Sequence, residues 1–205
     1  SNARNEKIKN FFINNKKKLI LTVSVILVLV IGYLSFEKSK ERAKIKLANQ
    51  YNLALIDLNP NNKKKTIDEM INVVKSNDTT YSPLALYHLL DNNLLEDREE
   101  INILFNELID KTNLENEIKN LIIYKKALYN SDFASENELL KILNPIINSE
   151  SIWKSHALYL LAEYFYSKDE KQKAKEFFNQ ILVLTGANNS IKTESQKRLN
   201  RDLGE

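Results

Sequence analysis

Residues 19–36 read LILTVSVILVLVIGYLSF and set the architecture of the whole chain. The segment holds eighteen residues without a charge, and all but Thr22, Ser24, Gly32 and Ser35 are apolar. An α-helix of this length spans about 27 Å, close to the ~30 Å hydrocarbon core of a bilayer. A buried core helix would usually keep a polar stripe, whereas this segment is apolar on every side. We therefore predict a transmembrane helix.

The flanking residues favour an uncleaved membrane anchor over a secretory signal. Lys16, Lys17 and Lys18 precede the segment, and further basic residues follow from Lys38 onward. A cleaved signal usually has an apolar region of about 7–15 residues that ends in a small-residue cleavage site. Here the longer apolar run ends in YLSFEKSK. Residues 1–18 are interpreted as a tail, and residues 1–3, Ser-Asn-Ala, resemble the scar of a cleaved expression tag.

The positive charge of the chain is concentrated in this tail. Residues 1–18 carry six basic groups and one acidic group, so the net charge of +3 for the chain leaves −2 for residues 19–205. The main domain is therefore not expected to attract nucleic acid. Six Lys and Arg precede the apolar segment and five lie within ten residues after it. This difference is too small for the positive-inside rule to orient the chain.

Residues 37–203 are predicted to form helices joined by short polar turns. The chain has only three glycines and three prolines, and its apolar residues recur at intervals of three and four. Ser82 followed by Pro83 is typical of a helix start, with proline at the first helical position. The other breaks are predicted at residues 59–62, 76–78, 110–113, 130–132, 148–151, 167–169 and 186–189.

A repeat then appears in the spacing of four tyrosines, which lie 36, 37 and 35 residues apart: Tyr51, Tyr87, Tyr124 and Tyr159. The two residues at offsets +2 and +3 from each tyrosine are Leu53-Ala54, Leu89-Leu90, Lys126-Ala127 and Leu161-Ala162. A second apolar group follows each tyrosine by about one helix: Ile67/Met70/Val73-Val74, Ile101/Phe105/Leu108, Leu139/Leu143/Ile146 and Ala174/Phe178/Ile181. Two helices per period of this length are typical of an α-solenoid. The predicted fold is all-α, with one N-terminal transmembrane helix and a solenoid of about four helical hairpins.

The last unit resembles a tetratricopeptide repeat. Residues 155–186 read SHALYLLAEYFYSKDEKQKAKEFFNQILVLTG. The matching positions of its first helix are Leu158, Leu161, Ala162 and Phe165, and those of its second helix are Ala174, Phe178 and Ile181. In the preceding unit Lys126 and Leu139 depart from the repeat pattern. The resemblance implies that the whole solenoid is tetratricopeptide-like.

The N-terminal third is similar to the N-terminal part of proteins of the YfgM-like family. Members of this family are ancillary subunits of the bacterial Sec translocon. Lys9-Asn10-Phe11-Phe12 corresponds to a K/R-x-F-F-like element of that family, and one span and a repeat domain follow. The resemblance implies a cytoplasmic tail over 1–18, a span over 19–36 in the inner membrane, and a periplasmic repeat domain over 37–203. It also implies partners: translocon subunits, a membrane-anchored periplasmic isomerase-like chaperone, and client polypeptides.

The predicted binding surface is the side of the first helix of each hairpin, which lines the concave surface in tetratricopeptide proteins. Its candidate residues are Tyr51, Tyr87, Asp91, Tyr124, Leu128, His156, Tyr159, Glu163 and Tyr166, with Leu84 and Leu121 beside them. Tyrosine suits recognition because it buries a large ring at modest entropic cost. Alternatively, the tyrosines pack between neighbouring hairpins. Within the span, Thr22, Ser24 and Gly32 are candidates for contact with other transmembrane helices.

Catalytic and metal sites are not predicted. The chain has no cysteine and two histidines, His88 and His156, which are 68 residues apart. It has no Gly-rich phosphate loop, no G-x-S-x-G and no H-E-x-x-H motif. No metal, cofactor or small-molecule substrate is therefore expected. The sequence is interpreted as a non-catalytic adaptor that assists secreted or membrane proteins; the alternative is an envelope scaffold for a complex unrelated to secretion.

Overall fold

The computed structural model describes residues 2–58 and 62–204, and every regular element in them is a helix. The predicted all-α fold is confirmed for these residues. Residues 59–61, where a break is predicted, lie outside them. The chain divides into two compact units, Ser1–Asn49 and Gln50–Glu205.

Helix α1, Asn2–Ile56, contains the predicted transmembrane segment. Among the described residues it is the one helix long and apolar enough to cross a bilayer, with a mean hydropathy of 2.7 in its most apolar window and none of that window buried. The side chains from Ile20 to Phe36 are exposed all around the helix. The Thr22 hydroxyl donates to the carbonyl oxygen of Lys18 at 2.9 Å, so this polar group is satisfied within the helix itself.

The second unit continues through eight further helices of the described chain: α2 (Lys63–Lys75), α3 (Tyr81–Asp91), α4 (Arg98–Lys111), α5 (Asn116–Asn130), α6 (Glu136–Ile147), α7 (Lys154–Ser167), α8 (Lys171–Val183) and α9 (Asn189–Asp202). From α2 onward each helix packs against the next one along the chain. Contacts between alternate helices join α2 to α4, α5 to α7 and α7 to α9. The domain is therefore built from neighbours in sequence.

Side chains that cap the helices fix several of these boundaries. Asp97 accepts hydrogen bonds from the backbone N–H groups of Glu99 and Glu100 at the start of α4. Ser135 and Glu138 form a capping box at the start of α6, with each side chain accepting from the backbone N–H of the other. Such caps satisfy N–H groups that have no partner inside the helix.

Ser82 and Pro83 do not start α3 as the sequence pattern predicts. The helix begins at Tyr81, because the Asp78 carboxylate accepts from the backbone N–H groups of Thr80 and Tyr81 at 2.8 and 2.7 Å. The Ser82 hydroxyl is buried and donates to the carbonyl oxygen of Val73 at 2.8 Å. Ser82 therefore joins α3 to α2 rather than capping its own helix.

Two other boundaries differ from prediction. The chain leaves α3 after Asp91 and enters α4 only at Arg98, a break that the sequence analysis did not predict. Asn93 in this break has a φ of 51°, a left-handed conformation that asparagine tolerates better than most residues. Helix α8 ends at Val183, before the predicted break at residues 186–189.

The predicted apolar groups of the second helices form the core. All but the half-buried Ile67 are buried, and Met70, Phe105, Leu108, Leu139, Leu143, Ile146, Ala174, Phe178 and Ile181 are at most 1% exposed. Three alanines at the +3 position, Ala54, Ala127 and Ala162, are fully buried on the first helices. A small side chain here lets the backbones of neighbouring helices approach closely. The repeat pattern thus identifies the residues that pack.

Phe178 offers a direct test of this core. It is 1% exposed, and its ring packs edge-on against Tyr159 with centroids 5.6 Å apart. Phe178→Ala should lower the free energy of unfolding by about 3–5 kcal/mol, because it removes apolar contacts and leaves a cavity. Val183→Ala, at an 83% exposed position of the same helix, should change it by less than about 0.5 kcal/mol. Urea unfolding of the full chain in detergent, followed by circular dichroism, measures both; equal losses would contradict the assigned core.

Candidate partner-binding face

The candidate residues lie on α3, α5 and α7, with Tyr51 near the end of α1. We call this set the first-helix face: Tyr51, Leu84, Tyr87, Asp91, Leu121, Tyr124, Leu128, His156, Tyr159, Glu163 and Tyr166. The tyrosines are half-buried, whereas Leu84, Asp91 and Leu128 are exposed. The face therefore combines rings that take part in packing with side chains that remain open to a partner.

Three of the tyrosine rings contact the first helix of the following hairpin. The Tyr51 ring lies 5.7 Å from the ring of Tyr81 in α3. The Lys125 ammonium of α5 lies 4.2 Å from the centre of the Tyr87 ring. The Tyr124 ring stacks on Trp153, just before α7, at 5.9 Å. These contacts are the ones expected if the tyrosines pack between neighbouring hairpins. Part of each ring nevertheless stays exposed.

His156 completes an aromatic cluster with Tyr124 and Trp153, at ring distances of 5.9 and 5.1 Å. Burial lowers the pKa of His156, which favours a neutral imidazole at neutral pH. His88 lies on α3 and its Nδ1 faces the side-chain amide of Asn92 at 3.1 Å. Within residues 2–58 and 62–204 no three potential metal ligands of the His, Cys, Asp or Glu type come together.

Tyr87 contributes a buried polar atom to the face. Its hydroxyl has no hydrogen-bond partner among the described residues. Burial, together with the nearby Asp91 carboxylate, raises the pKa of Tyr87 to about 12, so the hydroxyl stays protonated. An unpaired buried hydroxyl costs roughly 1–3 kcal/mol.

Helix α9 covers the α7 end of the face. The Arg198 guanidinium pairs with both carboxylate oxygens of Glu163, at 2.7 and 2.5 Å, and also binds Asp202. Its Cζ lies 4.4 Å from the centre of the Tyr166 ring. Beside it, burial and then the Glu163 carboxylate raise the pKa of Tyr159 to about 12. Glu163 and Tyr166 therefore already have a partner inside the chain.

The open part of the face lies on α3 and α5. Leu84 is 42% exposed and Leu128 is 50% exposed. Tyr87 lies beside them under the Lys125 ammonium, and Leu121 is half-buried. These side chains give α3 and α5 an apolar surface that is flanked by the Lys125 ammonium and the exposed Asp91 carboxylate.

The three candidates in the span do not share one side of α1. At about 100° per residue, Thr22 and Ser24 lie roughly 160° apart around the helix, and Gly32 lies between them. A Cβ placed on Gly32 would meet no atom within 4 Å. Gly32 lies about 80° from each of the other two, so a helix that contacted Gly32 could also reach Thr22 or Ser24, but not both.

The packing of α9 over Glu163 and Tyr166, which we call the α9 cover, was not predicted from the sequence. Asn188 accepts from the backbone N–H groups of Ser190 and Ile191 and so starts the helix. Leu199 is fully buried eleven residues after this cap. The asparagine cap and the spacing of Ile191, Ser195 and Leu199 were the available signal, but they sit within a strongly polar segment.

Comparisons with models of protein families, with curated proteins and with solved structures find no match to this chain.

Asp202 gives the α9 cover a pH dependence. Hydrogen bonds from Arg201 and Arg198 lower the pKa of its carboxyl to about 2, below the ~3.9 of an unfolded aspartate. A carboxylate whose pKa falls on folding stabilises the fold above the unfolded pKa, and that stabilisation is lost as the pH falls from about 4 toward 2. Asp202→Asn should therefore lower the thermal midpoint near neutral pH and have much less effect near pH ~2.

Thermal unfolding of the full chain and the variant in detergent, followed by circular dichroism across this pH range, measures the difference. A gap between the two midpoints that stays constant with pH would show that Asp202 does not stabilise the fold through its charge.

Proposed function

We propose that the chain is a membrane-anchored, non-catalytic adaptor whose helical domain binds other proteins. The observation that carries the proposal is that one chain combines an apolar helix exposed on every side with a helical domain whose α3 and α5 leave an apolar face open. The apolar helix would anchor the helical domain in the membrane. Anchoring raises the local concentration of a weak binder near its target, so the proposed mechanism is tethered binding.

We also propose that the domain is a tetratricopeptide-like α-solenoid. Its support is the match between the sequence period and the packing. Each tyrosine unit supplies one helix with a buried alanine or leucine two or three residues after the tyrosine, and a second helix with a buried apolar group. Helix α7 and helix α8, the unit with the strongest resemblance, pack along their length around Leu161, Ala162 and Phe178. Helix α9 then takes the place of a terminal capping helix.

The proposed location follows from the resemblance of the N-terminal third to YfgM-like proteins. On this proposal residues 1–18 are cytoplasmic, residues 19–36 cross the inner membrane, and the helical domain lies in the periplasm beside the Sec translocon. Its partners are translocon subunits, a membrane-anchored isomerase-like chaperone and emerging client chains. The open face on α3 and α5 supports this role because it offers apolar area to an unfolded or helical segment.

Membrane insertion is tested by placing charges in the middle of the span. Val25→Lys with Leu29→Lys should abolish stable integration, because a lysine at the centre of a transmembrane helix costs about 2.5–3.5 kcal/mol or more. Alkaline extraction of membranes measures this: the native chain stays in the pellet and the variant is released. Ser39→Lys with Ala43→Lys, beyond the apolar segment, is the matched control and should stay in the pellet. A native chain that is itself released would contradict the anchor.

Partner capture is tested by photocrosslinking in living cells of the source organism. A photoreactive amino acid at Leu84 or Leu128 should form crosslinks to translocon subunits or to an isomerase-like chaperone, because both positions are exposed on the open face. The same amino acid at Val183, which is 83% exposed on α8, serves as the control. Crosslinks of equal yield and identity from all three positions would contradict a specific face. Crosslinks to a different envelope complex would support the adaptor role and overturn the link to secretion.

A further inference from the structure

Lys126 stands at a position where the second and last units have a buried leucine, whereas Leu53 of the first unit is 58% exposed. The residue two places after each repeat tyrosine is Leu53, Leu89, Lys126 or Leu161, and both Leu89 and Leu161 are fully buried. Four residues further on, the third unit has Asn130 where the last unit has Phe165, which is 1% exposed. The third unit therefore places two polar side chains on the side of α5 that packs against second helices.

A groove of about 490 Å³ opens at this place, between α4 and α6, with α5 as its floor. In the preceding unit, where the position holds Leu89, the second helices α2 and α4 pack directly together. The apolar part of the groove comes from all three helices, with Ile109 on α4, Ile123 on α5 and Ile142 on α6. Its volume is within the range of about 300–1,000 Å³ that is typical of ligand sites.

The Lys126 ammonium lies in this groove and has one direct partner. Its Nζ donates to the side-chain oxygen of Asn106 at 2.6 Å, and Asp110 lies close enough to favour the charged form. Burial is the larger effect and lowers the pKa of Lys126. An ammonium has three donors, so the groove holds a partly dehydrated cation with donors left for a ligand.

The other charges of the groove leave it positive. Arg98 and Lys141 line it together with Lys126, against Asp110 and Glu138. The Glu138 carboxylate is already engaged, since one of its oxygens accepts from the backbone N–H and the hydroxyl of Ser135 at 2.8 and 2.7 Å. A carboxylate entering the groove would therefore meet an excess of positive charge and a partly buried ammonium donor.

We propose that the groove between α4 and α6 binds a peptide segment of another protein, with an aspartate or glutamate side chain of that segment paired to Lys126 and its aliphatic neighbours packed against Ile109, Ile123 and Ile142. Tyr124 and Lys126 lie about 160° apart around α5, so this site is separate from the first-helix face. It is a second protein-binding surface, and it does not depend on where the domain is located.

The test is a selection of random octapeptides displayed on phage, carried out on the full chain in detergent. The selected peptides should be enriched in Asp and Glu flanked by Leu, Ile or Val. Synthetic versions of these peptides, measured by fluorescence polarisation, should bind the Lys126→Leu variant at least about tenfold more weakly, since a hydrogen bond to a charged group contributes about 1.5–3 kcal/mol. Lys126→Arg, which keeps the charge, should retain most of the binding.

Lys125→Leu is the matched control, because it removes a charge from the neighbouring residue whose ammonium lies over Tyr87 on the first-helix face. Leucine at position 126 restores the residue type of the other units, and circular dichroism checks that the variant stays folded. Peptides without acidic enrichment, no selected peptides, or equal binding to Lys126→Leu would overturn the proposal. Peptides that lose binding only to Lys125→Leu would also overturn it, while supporting the first-helix face as a binding surface.

Discussion

The second unit depends on one constraint: each helix has an apolar side that only its neighbours in the chain can cover. Phe178 on α8 shows this, because it is buried against Tyr159 of α7 and has no distant element to pack on. When helices pack mainly on their neighbours in the chain, the last helix lacks a cover on one side. Helix α9 resolves the problem at one end, by burying Leu199 and by placing Arg198 across Glu163 and Tyr166. The same contact limits the free part of the first-helix face to α3 and α5.

The constraint also explains why a lysine is tolerated at position 126. In the last unit the equivalent Leu161 is fully buried, so a charge there would have to be dehydrated without a partner. In the third unit α4 and α6 stand apart over α5, and Lys126 reaches Asn106 while part of its side chain stays in contact with solvent. The opening between α4 and α6 therefore lets the Lys126 ammonium keep both a hydrogen-bond partner and contact with solvent.

The sequence predicted the helices and the core well because both follow from the local spacing of apolar residues. The groups around Phe105, Leu143 and Phe178 recur at helical intervals, and burial of such a stripe is what stabilises the helix. It predicted less where a boundary depends on tertiary contact. Ser82 bonds to Val73 on the preceding helix, and Arg198 pairs with a carboxylate 35 residues away, and neither partner is marked by spacing. Lys126 was visible as a departure from the repeat, but only the groove gives that departure a chemical meaning.

The two proposed surfaces have different chemistry because they lie on opposite sides of α5. On one side Tyr124 and the exposed Leu128 offer apolar area, which accepts many sequences and suits weak, general capture. On the other side the Lys126 ammonium favours an anion, because it has N–H donors beyond the one that binds Asn106. In these proposals the groove selects for the sequence of its ligand, and the open face binds apolar segments of many sequences. A ligand on one side does not cover the other, so in these proposals the groove holds one partner while other polypeptide segments exchange on the open face.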